Sequence, residues 1–88
     1  MNGFRVILTP EAQRDIRHLD PSLQTRILDK LAWIGENARF LRHEALQGRE
    51  WEGCLKYRVG DYRIIYTMDQ SAQELTILKV GHRRQVYG

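Results

Sequence analysis

Two alternating stretches of hydrophobic and polar residues flank a helical one in this chain. "FRVILT" (residues 4–9) sets Phe4, Val6 and Leu8 on one side of an extended backbone and is rich in β-formers, which predicts a first strand. Thr9-Pro10-Glu11 has the features of a helix start: a hydroxyl N-cap, proline at the first helical position and an acid in the first turn. Ala12, Ile16 and Leu19 then recur at helical spacing, and Asp20-Pro21 repeats the same punctuation. In the second helix Leu23, Ile27, Leu31 and Ile34 form one stripe, widened by Leu28, while Gln24, Arg26, Asp29 and Lys30 face out. Gly35 and Asn37, in "GEN", are residues suited to closing that helix. Residues 38–50 mix apolar and charged positions and predict a connector with a short turn of helix. From Trp51 the period returns to two, with strands over about 52–59, 62–68 and 74–81.

The order is β-α-α-β-β-β, an α+β arrangement. The last three strands form an antiparallel meander that the first strand joins. Both helices cover one face of this sheet, and the other face is expected to stay open to solvent or a ligand. At 88 residues the chain is one domain.

The stretch "LKYRVGDYRIIY" (55–66) specifies a hairpin. Gly60-Asp61 is a Gly-X pair between alternating runs, the signature of a two-residue type II′ turn. In that register Val59 faces Tyr62, Tyr57 faces Ile64 and Leu55 faces Tyr66, an apolar face for the helices. The other face pairs Arg58 with Arg63 and Lys56 with Ile65, with Cys54 and Thr67 beyond. A slip of one residue would bury the arginines, so the register is well determined. Like charges directly opposite one another destabilise a sheet by a few tenths of a kcal/mol or more. Either the two arginines splay into water or find acids elsewhere, such as Glu50 or Glu52, or they are kept for phosphate, which a guanidinium fork suits.

Charge sharpens this picture. The net charge is +3; residues 1–53 hold eight Lys/Arg and eight Asp/Glu, and residues 54–88 hold six and three. The whole excess lies in the part that carries the hairpin, as in a module facing a phosphate-rich or acidic partner. No apolar run is long enough to cross a membrane, and "MNGFRVILTPEAQRD" turns polar too soon for a signal peptide. Cys54 is the only cysteine, so no internal disulfide forms, which fits a reducing compartment; Cys54 itself reads as a small sheet residue. His18, His43 and His82 have no metal-ligand spacing. Trp33 is expected at the core or its edge; Trp51 can serve the core, an interface or stacking, with the core favoured.

The last strand ends in "LKVGHRRQVYG". Lys79 and Arg83 share one parity; Leu78, Val80 and His82 share the other. Arg83 or Arg84 can therefore join the Arg58/Arg63 cluster, and Tyr87 can offer an aromatic face to a base.

"YRVGDYRIIYTM" and, after a short turn, "LTILKVGHRRQVY" resemble the RelE branch of the RelE/ParE toxins of type II toxin–antitoxin systems, over the whole length of the chain. The resemblance implies a cytoplasmic toxin that cleaves mRNA, typically in the ribosomal A site. It also implies a tightly bound antitoxin, acidic and partly disordered, that folds on binding and forms a hetero-oligomer. Residue by residue, Lys56 matches a lysine that helps activate the attacking ribose hydroxyl, and Cys54 stands where the better-studied members have a second lysine. Arg63 and Arg83 match the arginines that hold the phosphate. Tyr87 resembles a terminal tyrosine that stacks on a base, in a segment about two residues shorter. His82 occupies a position filled by lysine or histidine and is the first candidate for the acid, with Arg83 the second. Arg58, Arg84 and Lys79 widen the RNA-binding field. The implied chemistry needs no metal or cofactor: the 2′-OH attacks the adjacent phosphate, and the arginines stabilise the developing charge. The crowding of cations disfavours the charged form of a lysine, which suits Lys56 as a base. Two alternatives share the fold: a ParE-like, gyrase-directed toxin, and an inactive basic module that only docks a partner. The "GHRRQVY" ending is closer to the ribonucleases.

Overall fold

The structure, a computed structural model, describes residues 3–86. It contains β1 (Arg5–Leu8), α1 (Pro10–Arg17), α2 (Pro21–Asn37), β2 (Glu44–Ala45), β3 (Leu55–Val59), β4 (Tyr62–Asp69), β5 (Glu74–His82) and α3 (Arg83–Val86). The sheet runs β1-β5-β4-β3-β2, with β1 parallel to β5 and every other pair antiparallel. The α+β order is as expected, with two additions: the short β2 at one edge and the single-turn α3 at the end.

The two helices lie on one face. Thr9 caps α1, its Oγ1 accepting the Ala12 N–H at 3.1 Å, and Pro10 and Pro21 occupy the first helical positions, where no donor is lost. Ala12, Ile16, Ile27, Leu31 and Ile34 pack against Val59, Ile64, Tyr66, Leu75, Ile77 and Val80. Leu28 does not join them and is 44% exposed. Gly35 is not a helix end. It lies inside α2, where β1 crosses so closely that a Cβ would stand 2.7 Å from Val6 Cγ2, and its carbonyl accepts the Phe4 N–H at 2.8 Å.

The hairpin register is as the alternation requires, with Arg58 opposite Arg63 and Lys56 opposite Ile65. Gly60 takes φ +58° and Asp61 keeps a negative φ, the II′ rather than the I′ pattern. β3 begins at Leu55 rather than near residue 52, because Arg49–Trp51 form a 3-10 turn first.

The last strand breaks parity. A bulge at Leu78 sets Ile65 opposite Lys79 but Tyr66 opposite Ile77. Leu78 and Val80 therefore face opposite sides of the sheet, contrary to the simple alternation. The groups the bulge frees are taken up near α1: Thr9 Oγ1 donates to the Leu78 carbonyl (3.3 Å), and Asp15 Oδ2 accepts the Val80 N–H (2.9 Å).

The second face is not wholly open. Ile65 is 0% exposed there, covered by Leu46, Trp51, Cys54 and Leu78. The connector over residues 38–54 makes this smaller core, so Trp51 packs as expected, whereas Trp33 stands 40% exposed on α2. His43 pins the connector to β4. Its Nε2–H donates to the Ala38 carbonyl (2.8 Å), which leaves Nδ1 to accept the Tyr66 O–H (2.6 Å).

Candidate active site

The connector's course determines what stands beside the hairpin cations. β2 pairs with β3 over two residues only, Glu44 opposite Lys56 and Ala45 opposite Leu55. It thereby brings a carboxylate to the cationic face: Glu44 Oε2 lies 3.5 Å from Lys56 Nζ. Glu44, Lys56, Arg58 and Arg63 line a cleft of about 120 Å³. The acid paired with this cluster is Glu44, and among the described residues neither Glu50 nor Glu52 forms an ion pair with it. Glu44 was not legible as a site residue, because it sits in a stretch with no clear period and belongs to a two-residue strand.

Within the cleft Lys56 is half-buried and Arg58 is exposed. Arg63 folds back over the turn, its Nη1 donating to the carbonyls of Gly60 (3.3 Å) and Tyr62 (3.2 Å). These bonds use one nitrogen of the guanidinium and leave its other donors for an anion. The three cations and one carboxylate give the cleft an excess of positive charge.

Arg83 enters from the far side. β5 ends opposite the start of β4, with Gly81 across from Arg63 and His82 across from Tyr62. The Arg83 N–H then donates to the Asp61 carbonyl at 2.8 Å, which ties the first residue of α3 to the hairpin turn. Arg83 is exposed beside the turn that Arg63 covers.

His82 is oriented differently. As the partner of Tyr62 it shares that residue's face, the helix-covered one, and the two rings meet edge to face with centroids 5.6 Å apart. Its Nδ1 accepts the Arg84 N–H at 3.2 Å. The imidazole thus caps α3 rather than facing Lys56. Lys79 also lies outside the cleft, 3.6 Å from Glu11 Oε2 and 6.0 Å from the centroid of the Trp51 ring. Arg84 is exposed on α3, and Tyr87 falls outside the described residues.

A site of this make-up can bind a phosphodiester, place cations where charge develops on it, and accept a proton at a carboxylate. Known proteins resemble the chain over nearly its whole length. The family model described as the ParE toxin of type II toxin–antitoxin system, parDE, matches residues 6–87. Toxin RelG of Mycobacterium tuberculosis is 30% identical over 84 residues, covering 96% of this chain and 95% of that protein. Among solved structures, the toxin–antitoxin complex RelBE2 of Mycobacterium tuberculosis superposes with a TM-score of 0.83 at 27% identity, over 94% of each chain. The archaeal RelE–RelB complex of Pyrococcus horikoshii gives a TM-score of 0.75 at 20% identity, over 96% of this chain and 99% of that one.

Proposed function

Because the chain belongs to the RelE/ParE superfamily of type II toxin–antitoxin toxins, we propose that it is an endoribonuclease acting on mRNA and restrained by an antitoxin. The observation that carries this reading is the cleft where Lys56, Glu44, Arg58 and Arg63 meet, with Arg83 fastened to the same turn.

The reaction is attack of the ribose 2′-OH on the adjacent phosphorus. The bond from 2′-O to phosphorus forms, the bond from phosphorus to the 5′-oxygen breaks, and a 2′,3′-cyclic phosphate and a 5′-OH result. Arg63 and Arg83 hold the non-bridging oxygens and stabilise the added charge. The 2′-OH proton goes to the Lys56–Glu44 pair. A lysine alone is a poor base at neutral pH; the Glu44 carboxylate offers an acceptor oxygen for the proton, and the Lys56 ammonium holds that carboxylate in place and stabilises negative charge on the attacking 2′-oxygen. The cleft is open to water, which protonates the leaving 5′-oxygen. His82 acts in this scheme through the cap it forms on α3, which positions Arg83.

The antitoxin reading rests on relatives solved as toxin–antitoxin complexes and on the chain's basic excess, which an acidic segment would complement. The ribosome is proposed as the place where mRNA is presented, and the compartment is proposed to be the cytoplasm. A second reading, a toxin directed at gyrase that cuts no RNA, has the ParE description of the family model in its favour.

Induction of the protein followed by primer extension on cellular transcripts separates these readings. Codon-phased cuts that disappear in Arg63→Ala and Arg83→Ala support the ribonuclease. Intact transcripts with cleaved chromosomal DNA overturn it in favour of the second reading.

A further inference from the structure

On the other side of β3 lies a larger groove, about 540 Å³, between that strand and α2. Its walls include Trp33 and Tyr57, with ring centroids 6.2 Å apart and planes tilted by 57°. Lys30 Nζ stands 4.6 Å from the Trp33 centroid and 5.7 Å from that of Tyr57. Arg26 and Arg58 line the same groove, and Asp29 is the one acid among these residues, so cations outnumber it three to one.

Two exposed features here stand outside the packed core. Trp33 turns 40% of its surface outward instead of into the core. Arg58 is exposed, and among the described residues no carboxylate pairs with it. Arg58 also borders both the groove and the cleft. The register explains how. β2 stops with Glu44 opposite Lys56, so β3 beyond Lys56 is the edge of the sheet, and Arg58 stands on that edge. A chain leaving the cleft reaches the groove by turning one corner, past a guanidinium suited to phosphate.

We infer that this groove is a second RNA subsite, which takes the base of a nucleotide next to the one in the cleft. Its size suits one nucleotide. Aromatic faces flanked by cations accept a base of any sequence with its phosphate, as single-strand binders do. Lys30, poised over both rings, moves to the phosphate when the base enters. The inference rests on the ribonuclease reading for the direction of the strand, but its test does not depend on cleavage.

The probe is a fluorescently labelled, fully 2′-O-methylated heptanucleotide, which cannot be cut because the attacking hydroxyl is blocked. Its anisotropy is titrated with the full chain and with Trp33→Ala and Lys30→Glu, whose folding is checked by thermal melting. Both residues are surface positions on α2. Loss of the stacking ring is expected to weaken binding roughly 5- to 100-fold. Lys30→Glu is expected to weaken it as well and to lower the slope of log K against log salt by about one. Unchanged affinity in both folded variants overturns the subsite, whether or not the wild type cleaves RNA. Weakened binding of an acidic peptide with unaltered RNA affinity also overturns it, and assigns the groove to a protein partner. Loss of cleavage in Arg63→Ala with no loss in the groove variants would leave the ribonuclease standing and the subsite refuted.

Discussion

Glu44 lies directly across from Lys56 in the β2–β3 pairing, with its carboxylate 3.5 Å from the ammonium. The pair is too exposed to matter much for folding; surface ion pairs contribute about 0–1 kcal/mol. Its position among arginines gives it a chemical use instead. Glu44→Gln and Lys56→Ala should each lower single-turnover RNA cleavage by roughly 10²- to 10⁴-fold, the usual range for a lost acid–base group. Thermal stability should change by less than about 1 kcal/mol. A Glu44→Gln variant with full activity would return the role of base to Lys56 alone.

Arg58 and Arg63 oppose each other across the hairpin, yet their expected variants differ. Arg58→Thr removes a like-charge pair and places a β-former on a strand, so the fold should gain a few tenths of a kcal/mol. The same change should weaken RNA binding and reduce its salt dependence by about one phosphate contact. Arg63→Ala should abolish cleavage, since its guanidinium is held by the turn where the phosphate would sit. Denaturation midpoints paired with binding isotherms at several salt concentrations read both effects. If Arg58→Thr left both stability and binding unaltered, the pairing would carry neither cost nor use.

Local rules made the hairpin legible. Strict alternation around Gly60-Asp61 determines which six residues meet the helices and which cations share the other face. The helix starts at Thr9-Pro10 and Asp20-Pro21 were equally plain, because caps and prolines act within a turn of the residues that cause them, although Asp20, unlike Thr9, makes no side-chain cap bond. What could not be read depended on contacts between distant segments. Glu44 joins the cleft because Leu46 and Trp51 anchor the connector on Ile65, a packing that no period announces. The bulge at Leu78 is stable because Thr9 and Asp15, more than sixty residues away, satisfy the groups it frees. That bulge sets the facing of everything after it and turns His82 toward Tyr62.

Gly35 gives a stability prediction with opposing terms. In an exposed helix interior, alanine is about 1 kcal/mol better than glycine. Here the new methyl would sit 2.7 Å from Val6 Cγ2 and 3.0 Å from the Phe4 carbonyl oxygen. Overpacking of this kind costs about 1–3 kcal/mol, and backbone is the less yielding of the two neighbours. Gly35→Ala should therefore destabilise the fold, by up to roughly 2 kcal/mol net in urea denaturation. Adding Val6→Ala should recover part of the loss, because the two positions are in contact and couple. A Gly35→Ala variant more stable than wild type would mean that β1 can shift away from α2 at little cost.

Tyr66 sets a limit at high pH. It is 0% exposed, and burial, with Tyr57 as a lesser cause, pushes its hydroxyl from 10.0 up to about 12. The folded state thus favours the protonated phenol. The stability this contributes is whole below about pH 10 and is lost as pH rises through about 12. Between pH 8 and pH 11 the loss amounts to about 1.4 kcal/mol. Tyr66→Phe keeps the ring in the core but cannot ionise, and it leaves His43 Nδ1 without the donor it has at 2.6 Å. The variant should be less stable at pH 8 by about 1 kcal/mol, and its stability should fall less steeply from there to pH 11. Urea denaturation midpoints at intervals over that range would show the two curves converging. Parallel curves would place the alkaline loss elsewhere than on the Tyr66 hydroxyl.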